Sequence, residues 1–361
     1  MSTLTSNYLT PTGREEAWRF TPLSRLGGLL DNNVEITSSS SIAIGSASRE
    51  VSLEVVDTMD LNPISETDDA AMVRVRETVA QVTHIKIAKD ANISEPIFLN
   101  RRDLSGKAQA SRTLISCGIN SHATIILQNS GDAILAEDIE FDVAPGSNLT
   151  FVSLQEWGAK SVYLGRQHAV VSKDASFRSI VVTVGGSLVR LSPTVEYRGP
   201  GSSAELLGLY FATDGQHLEH RLHVDHNVAH AKSRVNYKGA LAGNKAHTVW
   251  IGDVYIRANA EGTDTYELNR NLLLSDGARA DSVPNLEIET GEILGAGHAS
   301  TTGRFDDEQL FYLCSRGIPA DLARRLVVRG FFSEIVGKIN NEEIENRLMD
   351  RIDFELSRVG E

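Results

Sequence analysis

The chain has 361 residues and a formal net charge of −13 at pH 7, with a pI near 5.3. An acidic chain of this kind repels nucleic acid and anionic membrane surfaces, so we expect partners of neither class. Its 41% of apolar and 23% of charged residues are typical of a globular protein, and the length allows two or three domains.

The cysteine count and the N-terminal segment bear on the compartment. Cys117 and Cys314 are the only cysteines, too few for a disulfide framework, and neither belongs to a CxxC pair. We expect both to be packing residues rather than ligands. No signal peptide is visible, and no window approaches about 18 consecutive apolar residues. A cytoplasmic protein without a membrane span is expected.

The N-terminal region predicts short, mixed elements. Residues 1–32 form an arm with one or two helical turns between residues 14 and 26, because Pro22 and the following glycines oppose a long helix. A serine-rich stretch, 37–48, predicts a surface loop. Further elements expected before residue 100 are strands at 84–88 and 96–99 and a helix near 68–81.

A regular series of short β-prone runs follows, from about residue 113 to 293. Runs such as ATIIL, LTFVSL and HTVWIG alternate with turn residues. Turn residues recur in steps of 26 to 29 residues, at Asn120, Gly146, Asp174, Gly201 and His230. This spacing is typical of a solenoid whose coils bury their inner faces on one another. A β-sandwich, with similar strands at less regular spacing, is the alternative.

The C-terminal region is predicted to be helical. A strand at 285–289 runs into a glycine-rich turn that carries His298 and then into a helix at 306–315, capped by Asp306 with Gln309 at capping-box spacing. A second helix is predicted at 320–339, with its apolar face formed by Leu322, Leu326, Val327, Phe331, Ile335 and Ile339.

A third helix is predicted at 342–359, with Asn340 and Glu343 as its cap. Because three helices in about 55 residues have too little core to be stable alone, we expect them to pack on the solenoid or on a partner. The predicted division of the chain is therefore an N-terminal helical and mixed region (1–104), a β-helix core (105–303) and a C-terminal helical domain (304–361).

Five histidines between residues 217 and 230 are a candidate metal site. Steps of three along a strand place successive histidines on opposite faces. On this pattern His220 and His226 share one face, and His217 and His223 share the other. The geometry favours a structural role. The alternative is a histidine-rich, metal-binding or iron-donating protein with His223 and His226 as ligands.

His298 is the other candidate ligand, among the small residues Gly295, Ala296 and Gly297. It is either a polar residue bonded to the backbone or an exposed imidazole that ligates iron. One histidine cannot hold a cluster, so the second interpretation requires ligands from another chain. No P-loop, GxSxG or HExxH motif is present. A carbohydrate-active β-helix enzyme is a remote alternative, which predicts a groove with paired carboxylates and exposed aromatic residues in a secreted chain. The aromatic content of only 6% and the absence of a visible export signal argue against it.

Three collinear regions stand out: REEAWRFTPLSRL (14–26), HVDHNVAHAKSRVNYKGALAG continuing through Gly252 with NRNLLLSDGARADSVPNLEI (223–252 and 269–288), and GHASTTGRFDDEQLFYLCSRGIP (297–319). Together they are about a quarter of the chain, and they resemble the SufB/SufD family of iron–sulfur cluster assembly scaffold proteins. The compact length, the tryptophan-bearing N-terminal element and the scarcity of cysteine resemble the SufD branch rather than SufB.

The resemblance implies a mainly β chain, with a right-handed parallel β-helix flanked by an N-terminal α/β region and C-terminal helices. It implies a non-catalytic scaffold subunit of the SUF complex that pairs with SufB through the β-helices. The ABC-type ATPase SufC, which hydrolyses ATP, binds the C-terminal helices in this family. The candidate docking residues are Phe311, Tyr312, Arg316, Gly317 and Ile318.

The same resemblance implies a role for His298 in a transient iron–sulfur cluster at the SufB–SufD interface. No cofactor is then expected to bind tightly to the isolated chain, for which a homodimer is the alternative to a monomer. Some relatives carry a cysteine two residues before this histidine, where this chain has Ala296. The thiolates are therefore expected from SufB.

Overall fold

The computed structural model describes residues 10–39, 42–45, 49–61, 64–101, 104–305 and 307–358. None of the helices in these ranges is long and apolar enough to cross a membrane. The expected helix cap Asp306 lies outside the described residues, as does the side chain of Gln309, so this capping box stays a prediction.

The core is a parallel β-helix of about eight coils, as the repeat spacing predicts. The chain alternates between two sheets that face each other across one interior, and each coil gives one strand to each sheet. Parallel pairing of this kind excludes a sandwich of antiparallel hairpins. The strands are β1 (Thr37–Ser38), β2 (Ile42–Ile44), β3 (Val51–Asp57), β4 (Gln81–Ile87), β5 (Ile97–Arg101), β6 (Ala108–Cys117), β7 (His122–Gly131), β8 (Ile134–Val143), β9 (Asn148–Trp157), β10 (Val162–Val171), β11 (Ser176–Val184), β12 (Leu188–Tyr197), β13 (Ser203–Ala212), β14 (His217–His226), β15 (Lys232–Leu241), β16 (His247–Ile256), β17 (Asp264–Leu273), β18 (Arg279–Ile288) and β19 (Gly295–Arg304).

The even-numbered strands from β4 to β18, with β3 at the far edge, form the first sheet, and β1 pairs with β6. The second sheet contains the odd-numbered strands from β5 to β19, with β2 at its far edge. Inside, aromatic rings pack against one another: the ring centroid of Phe141 lies 4.7 Å from that of Phe151, in an edge-on contact, and 5.0 Å from that of Phe177.

The recurring turn residues of the sequence form one corner of successive coils. Asn120, Gly146, Asp174, Gly201 and His230 all have a positive φ, between 55° and 75°. The amide N–H groups of Asn120, Gly146 and Asp174 each donate to a carbonyl of the following coil. Glycine, asparagine and aspartate tolerate this left-handed conformation best, which is why the spacing can be read from the sequence.

The N-terminal region covers the outer face of the first sheet. Two short 3₁₀ helices, Glu16–Trp18 and Leu23–Arg25, confirm the predicted helical turns. Helix α1 (Ala70–Thr78) packs on β6 and β8, and its N-cap Asp69 accepts hydrogen bonds from two backbone N–H groups of the first turn. The segment predicted to be a serine-rich loop instead contributes β1, which pairs with β6, and β2, which pairs with β5. Strand β3 was not predicted either.

Three C-terminal helices follow: α2 (Asp307–Ser315), α3 (Ala320–Val336) and α4 (Glu342–Ser357). Helices α3 and α4 pack on the outer face of the second sheet, where Phe332 and Leu348 are fully buried. Lys238 of β15 fixes α3 by donating to Glu334 Oε2 (2.7 Å) and to the carbonyl of Phe331 (3.0 Å). The predicted domain boundaries stay a prediction.

Two helix details differ from the predictions. The cap of α4 is Asn341 rather than Asn340: its side chain accepts from the N–H of Ile344 (3.0 Å), and Glu345 Oε1 accepts from the N–H of Asn341 (3.1 Å). Asn340 instead has a φ of 56°, a left-handed turn conformation. The apolar face of α3 is also rotated, since the sheet contacts Val328 and Phe332, whereas Leu322 and Leu326 are 48% and 45% exposed.

Candidate functional site at the open end of the β-helix

The β-helix ends in an uncovered coil. Strand β18 pairs only with β16, and β19 pairs only with β17, so among the described residues one edge of each final strand has no partner. Most residues of these two strands are half-buried or exposed, although the equivalent strands of earlier coils are buried. Side chains that point into the interior of the last coil are therefore accessible from the end of the helix.

His298 lies in the middle of β19, so its predicted place in a glycine-rich turn was wrong. Although β19 has the low β-propensity sequence GAGHASTTGR, it pairs with β17 residue by residue over its whole length. The ladder of the preceding coil supplies the backbone partners that the sequence alone does not predict. His298 is paired with Glu267, and its side chain is 43% exposed at the open end.

Glu267 is the buried neighbour of this imidazole. The residue is 1% exposed, and neither carboxyl oxygen accepts a hydrogen bond from the described residues. His298 Nδ1 lies 3.8 Å from Glu267 Oε1, too far for a hydrogen bond. Burial, with a smaller contribution from the negative charge of Asp253, raises the pKa of Glu267 to about 8. The site thus combines an exposed imidazole with a buried carboxyl group without a donor.

A polar hydrogen-bond chain continues from the open end into the interior. Ser300 Oγ donates to Ser282 Oγ (2.7 Å), which donates to Asn269 Oδ1 (2.8 Å). Asn269 Nδ2 in turn donates to the hydroxyl oxygen of Tyr210 (2.9 Å). The interior of the last coils therefore contains a hydrogen-bonded polar chain as well as the unpaired Glu267.

The histidine-rich segment forms β14, with its faces as predicted. His220 and His226 point into the core: His220 Nε2 bonds Thr183 Oγ1 (2.9 Å), and His226 Nε2 bonds Ser233 Oγ (2.9 Å). Burial lowers the pKa of His220 to about 3 and that of His226 to about 4. Both are neutral core residues near pH 7.

His217 and His223 lie on the outer face of β14. The ring of His223 packs on that of Tyr255, with centroids 5.1 Å apart, whereas His226 stacks inside on Tyr197. The candidate ligands His223 and His226 therefore point away from each other. In the described part of the chain, no group of three or more His, Cys, Asp or Glu side chains is arranged to hold a metal ion.

The two cysteines have different environments. Cys117 is buried in the core as expected, with Sγ 3.2 Å from Ser121 Oγ, and burial raises the pKa of its thiol. Cys314 is exposed on α2, contrary to the prediction that it packs. The reason is that α2 packs mainly on α3, on a side that leaves Cys314 uncovered.

The candidate docking residues lie at the exposed end of this helical unit. Phe311 and Tyr312 are 74% and 57% exposed, Arg316 stacks over the ring of Tyr312 at 5.2 Å, and Gly317 ends the helix with a φ of 85°. Ile318 is half-buried. The exposed Leu322 and Leu326 of α3 belong to the same two helices. We call Phe311, Tyr312, Leu322 and Leu326 the α2–α3 patch; the sequence analysis missed its two leucines by assigning them to the core.

Comparison with known proteins gives one consistent result. A family model described as "SUF system FeS cluster assembly, SufBD core domain" matches residues 98–331. An iron–sulfur cluster assembly SufBD family protein of Mycobacterium tuberculosis is 48% identical over 355 residues, covering 96% of this chain and 89% of that protein. A Mycobacterium leprae member is 46% identical over 357 residues, covering 96% and 91%. The iron–sulfur cluster assembly protein SufD of Escherichia coli is 24% identical over 378 residues, covering 95% and 88%.

Proposed function

Because the chain belongs to the SufB/SufD family of iron–sulfur cluster assembly proteins, we propose that it is the SufD-like subunit of a SUF complex, a cytoplasmic scaffold without catalytic activity of its own. The observation that carries this proposal is the position of His298. The side chain lies in the terminal coil, faces the open end and is 43% exposed. An imidazole in this place is accessible to a second chain that covers the end of the β-helix.

Pairing with SufB would use the unpaired edges of β18 and β19. Free N–H and C=O groups along an edge strand are a template for strand addition by another chain. Each of the two final strands is ten residues long and has such an edge among the described residues. A SufB β-helix added here would bring its side chains next to His298.

The cargo of this interface would be a nascent iron–sulfur cluster. His298 would supply one imidazole ligand, and SufB would supply the thiolates, because Cys117 is buried at another coil and Cys314 lies on α2. Iron accepts both ligand types. A ligand set divided between two chains also explains why no tightly bound cofactor is expected on the isolated chain.

Docking of the SufC ATPase would use the α2–α3 patch. Exposed aromatic and aliphatic side chains at this density are typical of interaction surfaces. Since α3 and α4 are fixed to the second sheet through Phe332, Leu348 and Lys238, a movement of the docked ATPase would be transmitted to the β-helix.

The test is co-expression of the chain with its cognate SufB and SufC, followed by native mass spectrometry of the purified assembly. We expect one copy each of SufB and of this chain with two copies of SufC. A control chain with Phe311→Ser and Leu326→Ser, both exposed in the α2–α3 patch, should keep SufB and retain less SufC. A lone chain, or a homodimer that binds neither protein, would overturn the proposal.

A further inference from the structure

Glu267 is the one carboxyl group in the described part of the chain whose two oxygens are both buried without a hydrogen-bond partner. It is 1% exposed, and both carboxyl oxygens lack a hydrogen-bond donor among the described residues. A buried carboxyl group in this state costs free energy, and such groups are rare in native proteins unless they have a function. An apolar residue at this position would avoid that free-energy cost, so packing alone does not account for the glutamate.

The backbone opposite Glu267 makes room for it. A Cβ atom on Gly252 of β16, across the interior, would lie within 3 Å of both Glu267 Oε2 and the ring of Trp250. The glycine thus allows the glutamate to extend across the core. Tyr237 Oη and Trp250 Nε1 are also buried without hydrogen bonds among the described residues, so neither donates to Glu267. His298, 3.8 Å away, is the nearest imidazole and the one ion-pair partner of Glu267 in the described chain.

We propose that Glu267 is a positioning residue for His298, whose Nδ1–H donates to an oxygen of the buried carboxyl group, so that the ring presents the lone pair of Nε2 at the open end of the β-helix. The contact must close from 3.8 Å to a hydrogen-bond distance of about 2.8 Å. The imidazole is 43% exposed, which leaves it room for the rotation that this requires. The inference rests on the proposed role of His298 as a ligand.

The chemical consequence is a fixed tautomer. A neutral imidazole carries one hydrogen, and the hydrogen bond made by one ring nitrogen determines which nitrogen is left to bind a metal. Metal-binding histidines commonly donate their second N–H to a carboxylate, which orients the ring and makes the binding nitrogen more basic. Glu267 would do the same for a histidine that faces a partner chain, and it would do so before the partner arrives.

The experiment is nitrogen NMR of the purified chain with ¹⁵N-labelled histidine, at pH 9. The His298 signals are assigned from their loss in His298→Gln. We expect Nδ1 to carry the hydrogen in the wild type. His122 is an internal reference for the opposite tautomer, because its Nδ1 accepts a hydrogen bond from Asn148 Nδ2 (3.0 Å). In Glu267→Leu the hydrogen should leave Nδ1, and the shifts should approach those of His122.

Two further variants make the outcome decisive. Glu287→Leu removes an exposed carboxylate from the neighbouring strand β18 and should leave the His298 signals unchanged. Glu267→Gln keeps the shape and one acceptor oxygen, so it should retain the wild-type tautomer at least in part, and it replaces the leucine variant if that variant does not fold. A wild-type His298 with its hydrogen on Nε2, or a tautomer that Glu267→Leu does not change, would overturn the inference. No partner is present in this measurement, so its result is independent of complex assembly.

Discussion

Tyr210 lies with its ring against Gly239, the residue with which it pairs in the next coil. The relationship is reciprocal, because the ring of Tyr237 lies against Gly208, its partner in the same register. A Cβ atom on either glycine would come within 3 Å of the neighbouring ring. Each tyrosine thus fills the space that a missing side chain leaves in the adjacent strand, and the hydroxyl of Tyr210 joins the polar chain that leads to the open end.

Gly239→Ala is therefore expected to destabilise the β-helix. The added methyl group would collide with the Tyr210 ring and with Asn271 Oδ1, and the buried ring cannot move away freely. Overpacking of this kind costs about 1–3 kcal/mol of the free energy of unfolding. Urea denaturation measures the change. Gly106→Ala, where nothing lies within 4 Å of the new Cβ, is the control, and equal stability of the two variants would contradict the packing described.

Acid should destabilise the protein through its buried histidines, and His220 gives a measurable part of this effect. Its pKa is about 3 when folded, against a usual value of 6.5, so its stabilising contribution is present above pH 6.5 and is lost as the pH falls towards 3. Between pH 7 and pH 5 the loss is about 2 kcal/mol for this one residue.

The variant His220→Gln cannot become charged, so it should lose about 2 kcal/mol less stability than the wild type between pH 7 and pH 5. Urea denaturation at the two pH values measures the difference. His122→Gln, at an exposed position of β7, is the control and should keep the wild-type pH dependence. An unchanged dependence in His220→Gln would mean that the histidine is charged in the fold or that the core admits water.

The fold was predictable where the same physical requirement recurs in every coil. The left-handed corner returns at Asn120, Gly146 and Asp174 because each coil must turn at the same place, and this leaves a period that can be read from one sequence. The two faces of β14 followed from strand alternation alone. Elements that depend on one neighbour, such as β1 and β2, were missed because their short sequences do not show which strand they join.

The site was predictable only in part. The small neighbours of His298 in the sequence indicated a candidate ligand. Its strand was not predicted, because the segment GAGHASTTGR has low β-propensity and pairs with β17. Glu267 was missed because a glutamate in an alternating strand usually marks the solvent face, and here it points inward. The outward leucines of α3 were missed because its apolar residues exceed one helical face, so periodicity did not determine which ones the sheet covers.

Replacement of two residues of the α2–α3 patch should weaken SufC binding without loss of stability. Phe311 and Leu326 are 74% and 45% exposed, so the double replacement Phe311→Ser/Leu326→Ser removes little from the core. If these residues are anchors of the interface, the loss of two should raise the Kd for SufC at least about thirtyfold. Met59→Ser, at a residue 95% exposed on the other side of the β-helix, is the control. Titration calorimetry measures both, and an unchanged Kd in the double variant would place the ATPase elsewhere.

His298→Ala should separate assembly from cluster formation. The side chain is 43% exposed and makes no hydrogen bond within the described residues, so the variant should fold and should still pair with SufB through β18 and β19. The measurement is anaerobic reconstitution of the complex with iron and sulfide, followed by visible absorption and iron analysis. We expect the affinity for the cluster to fall at least about tenfold, as is usual when a metal ligand or its supporting residue is lost.

Ser300→Ala, two residues further along the same face of β19, is the matched control and should reconstitute as the wild type does. Because Glu267 would act only through the imidazole, Glu267→Leu should fall between the wild type and His298→Ala, and the double variant should be no worse than His298→Ala alone. Full cluster content in His298→Ala would remove this histidine from the ligand set. A double variant weaker than both single ones would show that Glu267 contacts the cluster independently of His298.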